Sequence, residues 1–216
     1  MQIGGQVAQQ QSGVDWQQGW KDNIGSPMCV STIDWQGLGS TQNYRISGSA
    51  QTSIGDYARV LAMLAGGGVG NGRRILSANA IATLNHSQTG NATDGYTPPG
   101  GAGSTQYGIG AWIEVSSVST DAPLISSIGA FGFTPWVDFS NGTFGLIMVA
   151  DRNSNSPVPP GESSHNALLA IIPQIRAQLQ ANNGTCPAIA IYDNIFGDGY
   201  ETSAPLPQCP GIVVVQ

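Results

Sequence analysis

The sequence predicts an α+β fold, with helices first, then an antiparallel sheet, and a last helix covering that sheet. Three observations predict it. Apolar residues recur at helical spacing up to about residue 84, the apolar period changes to two from residue 107, and helical spacing returns over 164–179. We expect three or four antiparallel strands between 107 and 150.

The helices of the first half begin after residues suited to an N-cap. Asp15 precedes three large apolar residues spaced four apart, and Ser53 precedes the amphipathic run 54–65. A shorter helix is predicted after Ser77. The glycine-rich run 66–74 follows a helix instead of preceding one, so it indicates helix termination and not a phosphate-binding loop.

The second half contains short apolar runs that predict strands at 107–115, 124–130, 133–139 and 143–150. The Ser-Asn-Gly at 140–142 is typical of a β-hairpin turn joining the last two. The closing helix, 164–179, contains Pro173. A proline inside a helix predicts either a kink there or a helix that truly starts there.

The composition argues against several classes of partner. Only 9% of the residues are charged, there is one lysine, and the net charge is −6. Nucleic-acid binding depends on clustered Lys and Arg, so we expect no nucleic-acid partner. No apolar run approaches the ~20 residues that span a bilayer, and residues 1–25 lack the features of a signal peptide.

Three cysteines leave the redox compartment open. Cys29 has apolar neighbours, which favours a buried free thiol. Cys186 and Cys209 bracket the last segment, and a disulfide between them would require an oxidising compartment. Scarce lysine and abundant small polar residues favour an exported bacterial protein, periplasmic or secreted.

Residues 183–216 are predicted to form a C-terminal appendage, separate from a domain over 1–182. The acids of the appendage, Asp193, Asp198 and Glu201, miss the EF-hand spacing. A disulfide-closed segment is therefore favoured over a metal site.

Standard catalytic motifs are missing from the sequence. It contains no G-x-S-x-G, H-E-x-x-H, C-x-x-C or P-loop, and its carboxylates show no paired spacing. His86 and His165 lie in polar stretches near helix ends, which favours surface or capping roles. No cofactor or metal is predicted.

An ordered series of segments over residues 2 to 180 resembles the serine β-lactamase-like hydrolases. This family includes class C β-lactamases, D-alanyl-D-alanine carboxypeptidases and related esterases. The segments are "WQQGWKDNIGSPM", "NYRISGSAQTSIGDYARVLAMLAGGG", "RRILSANAI", "YGIGAWIEV", "SSIGAFGFTPWVD" and "TFGLIMVADRN". The resemblance implies the antiparallel sheet and packed helices of that family.

The resemblance also implies a candidate site. The family carries Lys-Thr-Gly or His-x-Gly on an edge strand that faces its nucleophile, and residues 127–132 occupy that place here. It implies that Gly129 lets a substrate carbonyl approach and that the Ala130 N–H is an oxyanion-hole donor. Ser127 stands where the family has Lys or His. The alternative is a tight bend in the sheet that requires small residues.

Two other boxes of the family are not found in their expected places. No Ser is followed by Lys three residues on, and the Tyr-x-Asn match at 192–194 lies after the whole fold. The resemblance therefore implies a C-terminal part of a serine hydrolase, acting on an ester or amide through an acyl-enzyme and completed by a missing N-terminal part. The alternative hypothesis is a non-catalytic exported binding or cell-surface module on the same fold.

Overall fold

The computed structural model of the chain describes residues 2–41, 43–90, 105–114, 123–152 and 156–182. The predicted appendage, with Cys186 and Cys209, lies outside these ranges. The α-helices are α1 (Gln2–Ser12), α2 (Trp16–Trp20), α3 (Ile54–Ala65), α4 (Ala78–Leu84) and α5 (Pro160–Ala181). The strands are β1 (Val69–Gly70), β2 (Arg73–Arg74), β3 (Thr105–Tyr107), β4 (Trp112–Glu114), β5 (Leu124–Ser126), β6 (Thr134–Asp138) and β7 (Thr143–Ile147).

The three predicted N-caps are confirmed. The side chains of Asp15, Ser53 and Ser77 each accept a hydrogen bond from the backbone N–H three residues on, at 3.0–3.2 Å. Each bond satisfies one of the free N–H groups of a helix start, which is why these residues mark the boundaries. After α2 the chain continues through a π-helical turn and a 3₁₀ turn to Met28.

Among the described residues, five strands form one antiparallel sheet in the order β3-β4-β5-β6-β7, and β1 pairs with β2 in a separate hairpin. The prediction of one strand over 107–115 is wrong. The chain reverses at 108–111, where the Gly108 N–H donates to the Ala111 carbonyl at 2.9 Å, so β3 and β4 pair with each other. Gly110 has a φ of +77°, a conformation that suits glycine and permits this turn.

Helices cover both faces of the sheet. On one face, Leu61 of α3 packs with Ile113, Ile125 and Val137 of β4, β5 and β6. On the other, α5 contributes Leu168 and Ile172, which pack against Leu124 and Trp136. A further cluster joins α2, α3 and the segment after Met28 through Met28, Val30, Ile33, Trp35, Tyr44 and Met63. The candidate site lies in the hairpin between β5 and β6, against the first turn of α5.

Helix α5 runs without a break from Pro160 to Ala181 and includes Pro173, so the prediction that Pro173 marks its true start is wrong. A proline inside a helix costs about 3 kcal/mol. The buried side chains of Leu168, Ile172 and Leu179 flank it, and each contributes about 1.5–3 kcal/mol by burial. Packing on the sheet therefore outweighs the local penalty, and Pro173 itself faces solvent.

The expectation of a free thiol at Cys29 is also wrong. Cys29 is disulfide-bonded and only half-buried. It ends the 3₁₀ turn with a left-handed φ of 57°. Cys29 is therefore not among the buried residues of the helical cluster, although its sequence neighbours Met28 and Val30 are.

Candidate active site

The candidate site residues lie in the hairpin that joins β5 to β6. The Ser127 N–H donates to the Pro135 carbonyl at 3.0 Å, and the Gly129 N–H donates to the Phe133 carbonyl at 2.7 Å. A third bond, from the Gly132 N–H to the Gly129 carbonyl at 3.0 Å, closes the turn. The segment from Ser127 to Gly129 therefore extends β5 beyond its last sheet residue.

Strand β5 is the central strand of the sheet, which corrects the edge position implied by the family resemblance. Its residues pair with β6 on one side and with β4 on the other, where Trp112 is the partner of Ser126. Beyond Ser126 the pairing with β4 stops, because the chain before Trp112 turns away at 108–111. Within the described residues, Ser127 and Gly129 then pair on the β6 side only.

Hydrogen bonding alternates along this extension. The N–H groups of Ser127 and Gly129 point to β6, as expected for successive residues of a strand. In the part of the chain that the structure describes, the N–H groups of Ile128 and Ala130 donate no hydrogen bond. Ala130 is exposed. A backbone N–H that is not used inside the fold is one of the requirements for an oxyanion donor.

The structure gives Gly129 a packing role of its own. A Cβ on Gly129 would lie 2.8 Å from the Phe133 carbonyl oxygen, closer than carbon approaches oxygen in proteins. The first turn of α5 packs on the same loop, since a Cβ on Gly161 would lie 2.7 Å from the Gly129 carbonyl oxygen. Glycine is therefore required by the bend itself, whatever approaches from outside.

A cavity of about 120 Å³ lies beside Ser127, on the face of the sheet that carries α3. Its walls are mainly apolar and include Tyr57, Leu61 and Leu64 of α3. The ring of Tyr57 meets that of Phe133 edge-to-face at a centroid distance of 5.0 Å. Burial raises the pKa of the Tyr57 hydroxyl above its ordinary value.

A buried polar cluster lies on the opposite face of the sheet. The Ser126 hydroxyl donates to Glu114 Oε1 at 2.5 Å, and His165 Nε2 lies 2.9 Å from the same oxygen. The three residues are at most 2% exposed. They connect β4, β5 and α5 at Ser126, the residue directly before Ser127. The cluster therefore fixes the strand end that carries the candidate site.

The prediction of a surface or capping role for His165 is wrong. Helix α5 begins four residues before the predicted start, which places His165 in its second turn and not at its end. The sequence held a signal, because His165 is in phase with Leu168 and Ile172, which face the sheet. His86 is exposed, as expected.

Two buried carboxylates, Asp56 of α3 and Asp138 of β6, form hydrogen bonds that stabilise the elements around the site. Burial opposes the ionisation of Asp56, but hydrogen bonds from Thr32, Ser31 and Arg59 outweigh it and hold the pKa of the Asp56 carboxyl below its ordinary value. Burial likewise opposes the ionisation of Asp138. Hydrogen bonds from Arg176 and Ser140, with the Arg176 charge, hold the pKa of Asp138 low as well.

Neither a metal centre nor a membrane span is found in the part of the chain that the structure describes. No group of three His, Cys, Asp or Glu side chains there could hold a metal ion. No helix among these residues has the length and apolarity that crossing a bilayer requires.

Solved structures share this fold. The "putative beta-lactamase" of Bacteroides dorei DSM 17855 matches with a TM-score of 0.62 and 20% identity over 80% of this chain and 56% of its own. Simvastatin synthase from Aspergillus terreus, as a mutant of LovD, matches with a TM-score of 0.54 and 14% identity over 79% of this chain and 53% of its own. No protein-family model and no curated protein sequence matches the chain.

These similarities establish the serine β-lactamase fold, which agrees with the predicted α+β class. At identities of 20% and 14%, they establish the fold alone. The chain spans about half the length of each of the two structures.

Proposed function

We propose that this chain is the C-terminal part of a serine hydrolase of the β-lactamase-related group and contributes one oxyanion donor to its active site. The observation that carries the proposal is the Ala130 N–H. It donates to no described residue, and it belongs to an exposed residue next to Gly129, whose own N–H donates to the Phe133 carbonyl. The fold similarity supports the same class of protein.

The proposed reaction is acyl transfer from an ester or amide to water through an acyl-enzyme. The substrate carbonyl would lie along the extension of β5, with its oxygen near the Ala130 N–H. A donor aimed at the developing oxyanion contributes ~10²–10³ in rate in other enzymes. In this role Ser127 offers a neutral hydroxyl, which suits a neutral ester at the reacting centre.

The nucleophile and base would come from outside this chain. Its single lysine, Lys21, is preceded three residues earlier by Gln18 and not by serine. We therefore expect the 216-residue chain alone to be inactive. A periplasmic or secreted location forms part of the proposal, on the basis of composition.

A non-catalytic exported module is the second candidate. The packing of Gly129 against the Phe133 carbonyl favours it, because that contact explains the glycine without any substrate. In this case the fold would serve as a binding or cell-surface domain.

The DNA upstream of Met1 separates the two candidates. An in-frame Ser-x-x-Lys and Tyr-x-Asn, together with p-nitrophenyl ester hydrolysis by the longer product, would support the hydrolase. Replacing that serine by alanine should then abolish hydrolysis, which excludes a contaminating esterase. A ribosome-binding site directly before Met1, with no upstream boxes, would support the module.

A further inference from the structure

An arginine is stacked on the loop that follows the candidate oxyanion donor. The Arg152 Cζ atom lies 5.4 Å from the centroid of the Phe131 ring. Phe131 directly follows Ala130 and is 49% exposed. The Asp151 N–H donates to the Phe131 carbonyl at 2.9 Å, which fixes the chain after β7 against this loop.

The stacking leaves the charge of Arg152 available. Where a guanidinium stacks face-on on a ring, its N–H donors point outward in the plane and can still bind an anion. Arg59 and Arg176 form ion pairs with Asp56 and Asp138. No ion pair of Arg152 occurs among the residues that the structure describes, and its side chain is exposed.

These features together suit the binding of a carboxylate. A planar guanidinium fits a carboxylate through two parallel hydrogen bonds. Packing on a ring restricts the side chain, so less conformational entropy is lost when an anion binds. An arginine that only shielded Phe131 from water would give the same stacking, but it would confer no preference for an anionic ligand.

We propose that Arg152, held on Phe131, binds a carboxylate in the acyl part of the substrate, which makes monoesters of dicarboxylic acids the preferred substrate class. This inference rests on the proposed function, because it assumes that the reacting carbonyl lies at Ala130. The carboxylate is then separate from the reacting centre, where Ser127 is neutral.

The test uses binding, since the 216-residue chain is expected to be inactive. Backbone amide shifts of the ¹⁵N-labelled chain are followed by NMR at low ionic strength during titration with monomethyl glutarate or dimethyl glutarate. The two probes differ in one carboxylate. We expect the monoester to bind about fivefold more tightly, the upper range for an exposed ion pair.

Arg152→Gln should abolish this preference, and Phe131→Leu should reduce it. The matched control is Arg73→Gln, which removes the same charge from the separate β1-β2 hairpin and should leave the preference intact. A preference that survives in Arg152→Gln, or an equal loss in Arg73→Gln, would overturn the inference. So would equal binding of the two probes, or no binding of either.

The Ala130 amide signal distinguishes failure of the inference from failure of the proposed function. If dimethyl glutarate shifts Ala130 but monomethyl glutarate binds no better, the oxyanion position stands and the carboxylate site is wrong. If the monoester binds through Arg152 while neither probe shifts Ala130, the carboxylate site stands and the proposed function is wrong.

Discussion

Glu114 and His165 lie 51 residues apart in sequence, yet their side chains meet at 2.9 Å between Oε1 and Nε2, and both are almost completely buried. The same carboxylate oxygen accepts a hydrogen bond from the Ser126 hydroxyl. One oxygen thus connects β4, β5 and α5 immediately behind the candidate site. Removing the carboxylate would leave two buried polar groups without this acceptor.

We expect Glu114→Ala to lower the free energy of unfolding by about 3 kcal/mol, because it removes one partner of a buried polar pair. Glu114→Gln keeps an acceptor and should cost clearly less. Urea unfolding followed by tryptophan fluorescence measures both. Equal stability of wild type and Glu114→Ala would show that the cluster has no structural role.

Asp56 should make stability depend on acid pH. Its folded pKa lies below the ordinary value of 3.8, so the folded state binds fewer protons than the unfolded state. The contribution to stability is therefore fully present above the unfolded pKa and is lost as the pH falls through the folded pKa. We expect the free energy of unfolding to decrease steadily below about pH 4.

The variant Asp56→Asn should be less stable at neutral pH by about 2 kcal/mol, since it weakens the bonds from Thr32, Ser31 and Arg59. Its stability should also vary less with acid pH than that of the wild type. Asp22→Asn, at an exposed acid in the π-helical turn, is the control. An unchanged acid profile in Asp56→Asn would assign the pH dependence to other groups.

The Asp138–Arg176 pair predicts a second stability effect. Arg176 Nε lies 2.7 Å from Asp138 Oδ2, and the Asp138 side chain is 1% exposed. Arg176→Gln leaves this carboxylate buried without its cation, which should cost about 2 kcal/mol, since Arg176 is partly exposed. Arg73→Gln should change stability by less than about 0.5 kcal/mol. Chemical denaturation at pH 7 compares them, and equal values would contradict the prediction.

The elements that could be predicted from sequence are those with a local cause. The caps Asp15, Ser53 and Ser77 act on backbone groups three residues away, and the Asn141-Gly142 turn is set by the φ of +70° at Gly142. The polar neighbours of His165 in sequence favoured the surface, whereas its helical phase with Leu168 places it on the buried side, where it contacts the distant Glu114. The split of 107–115 into two strands likewise depends on pairing that alternation alone does not specify.

The candidate site was predicted through family resemblance, and its assignment remains a prediction. The structure adds one distinction that the sequence could not supply. Gly129 is constrained by the Phe133 carbonyl, whereas the Ala130 N–H has no described partner. A test of catalysis must therefore change Ala130 and not Gly129.

In the complete enzyme of the proposed function, Ala130→Pro should remove the proposed donor and lower kcat/KM by ~10²–10³. Ala130→Ser keeps the N–H and should retain most activity. Gly129→Val should also abolish activity, but with a loss of thermal stability, because its side chain would collide with the Phe133 carbonyl. Melting temperatures measured beside the kinetics separate these effects. Full activity of a stable Ala130→Pro variant would exclude the oxyanion role.

Substrate preference depends on Ser127, which provides a neutral hydroxyl where the family that this chain resembles has a cation. A charge-assisted hydrogen bond is roughly twice as strong as a neutral one. Substrates with a carboxylate fixed beside the reacting carbonyl therefore lose the most binding energy when Ser127 replaces the cation. We expect the complete enzyme to hydrolyse p-nitrophenyl acetate and butyrate with a higher kcat/KM than nitrocefin, and Ser127→Lys to shift that ratio toward nitrocefin. The 216-residue chain should turn over neither. Efficient nitrocefin hydrolysis with Ser127 unaltered would show that another group supplies the cation, and turnover by the purified short chain would show that a nucleophile lies within it.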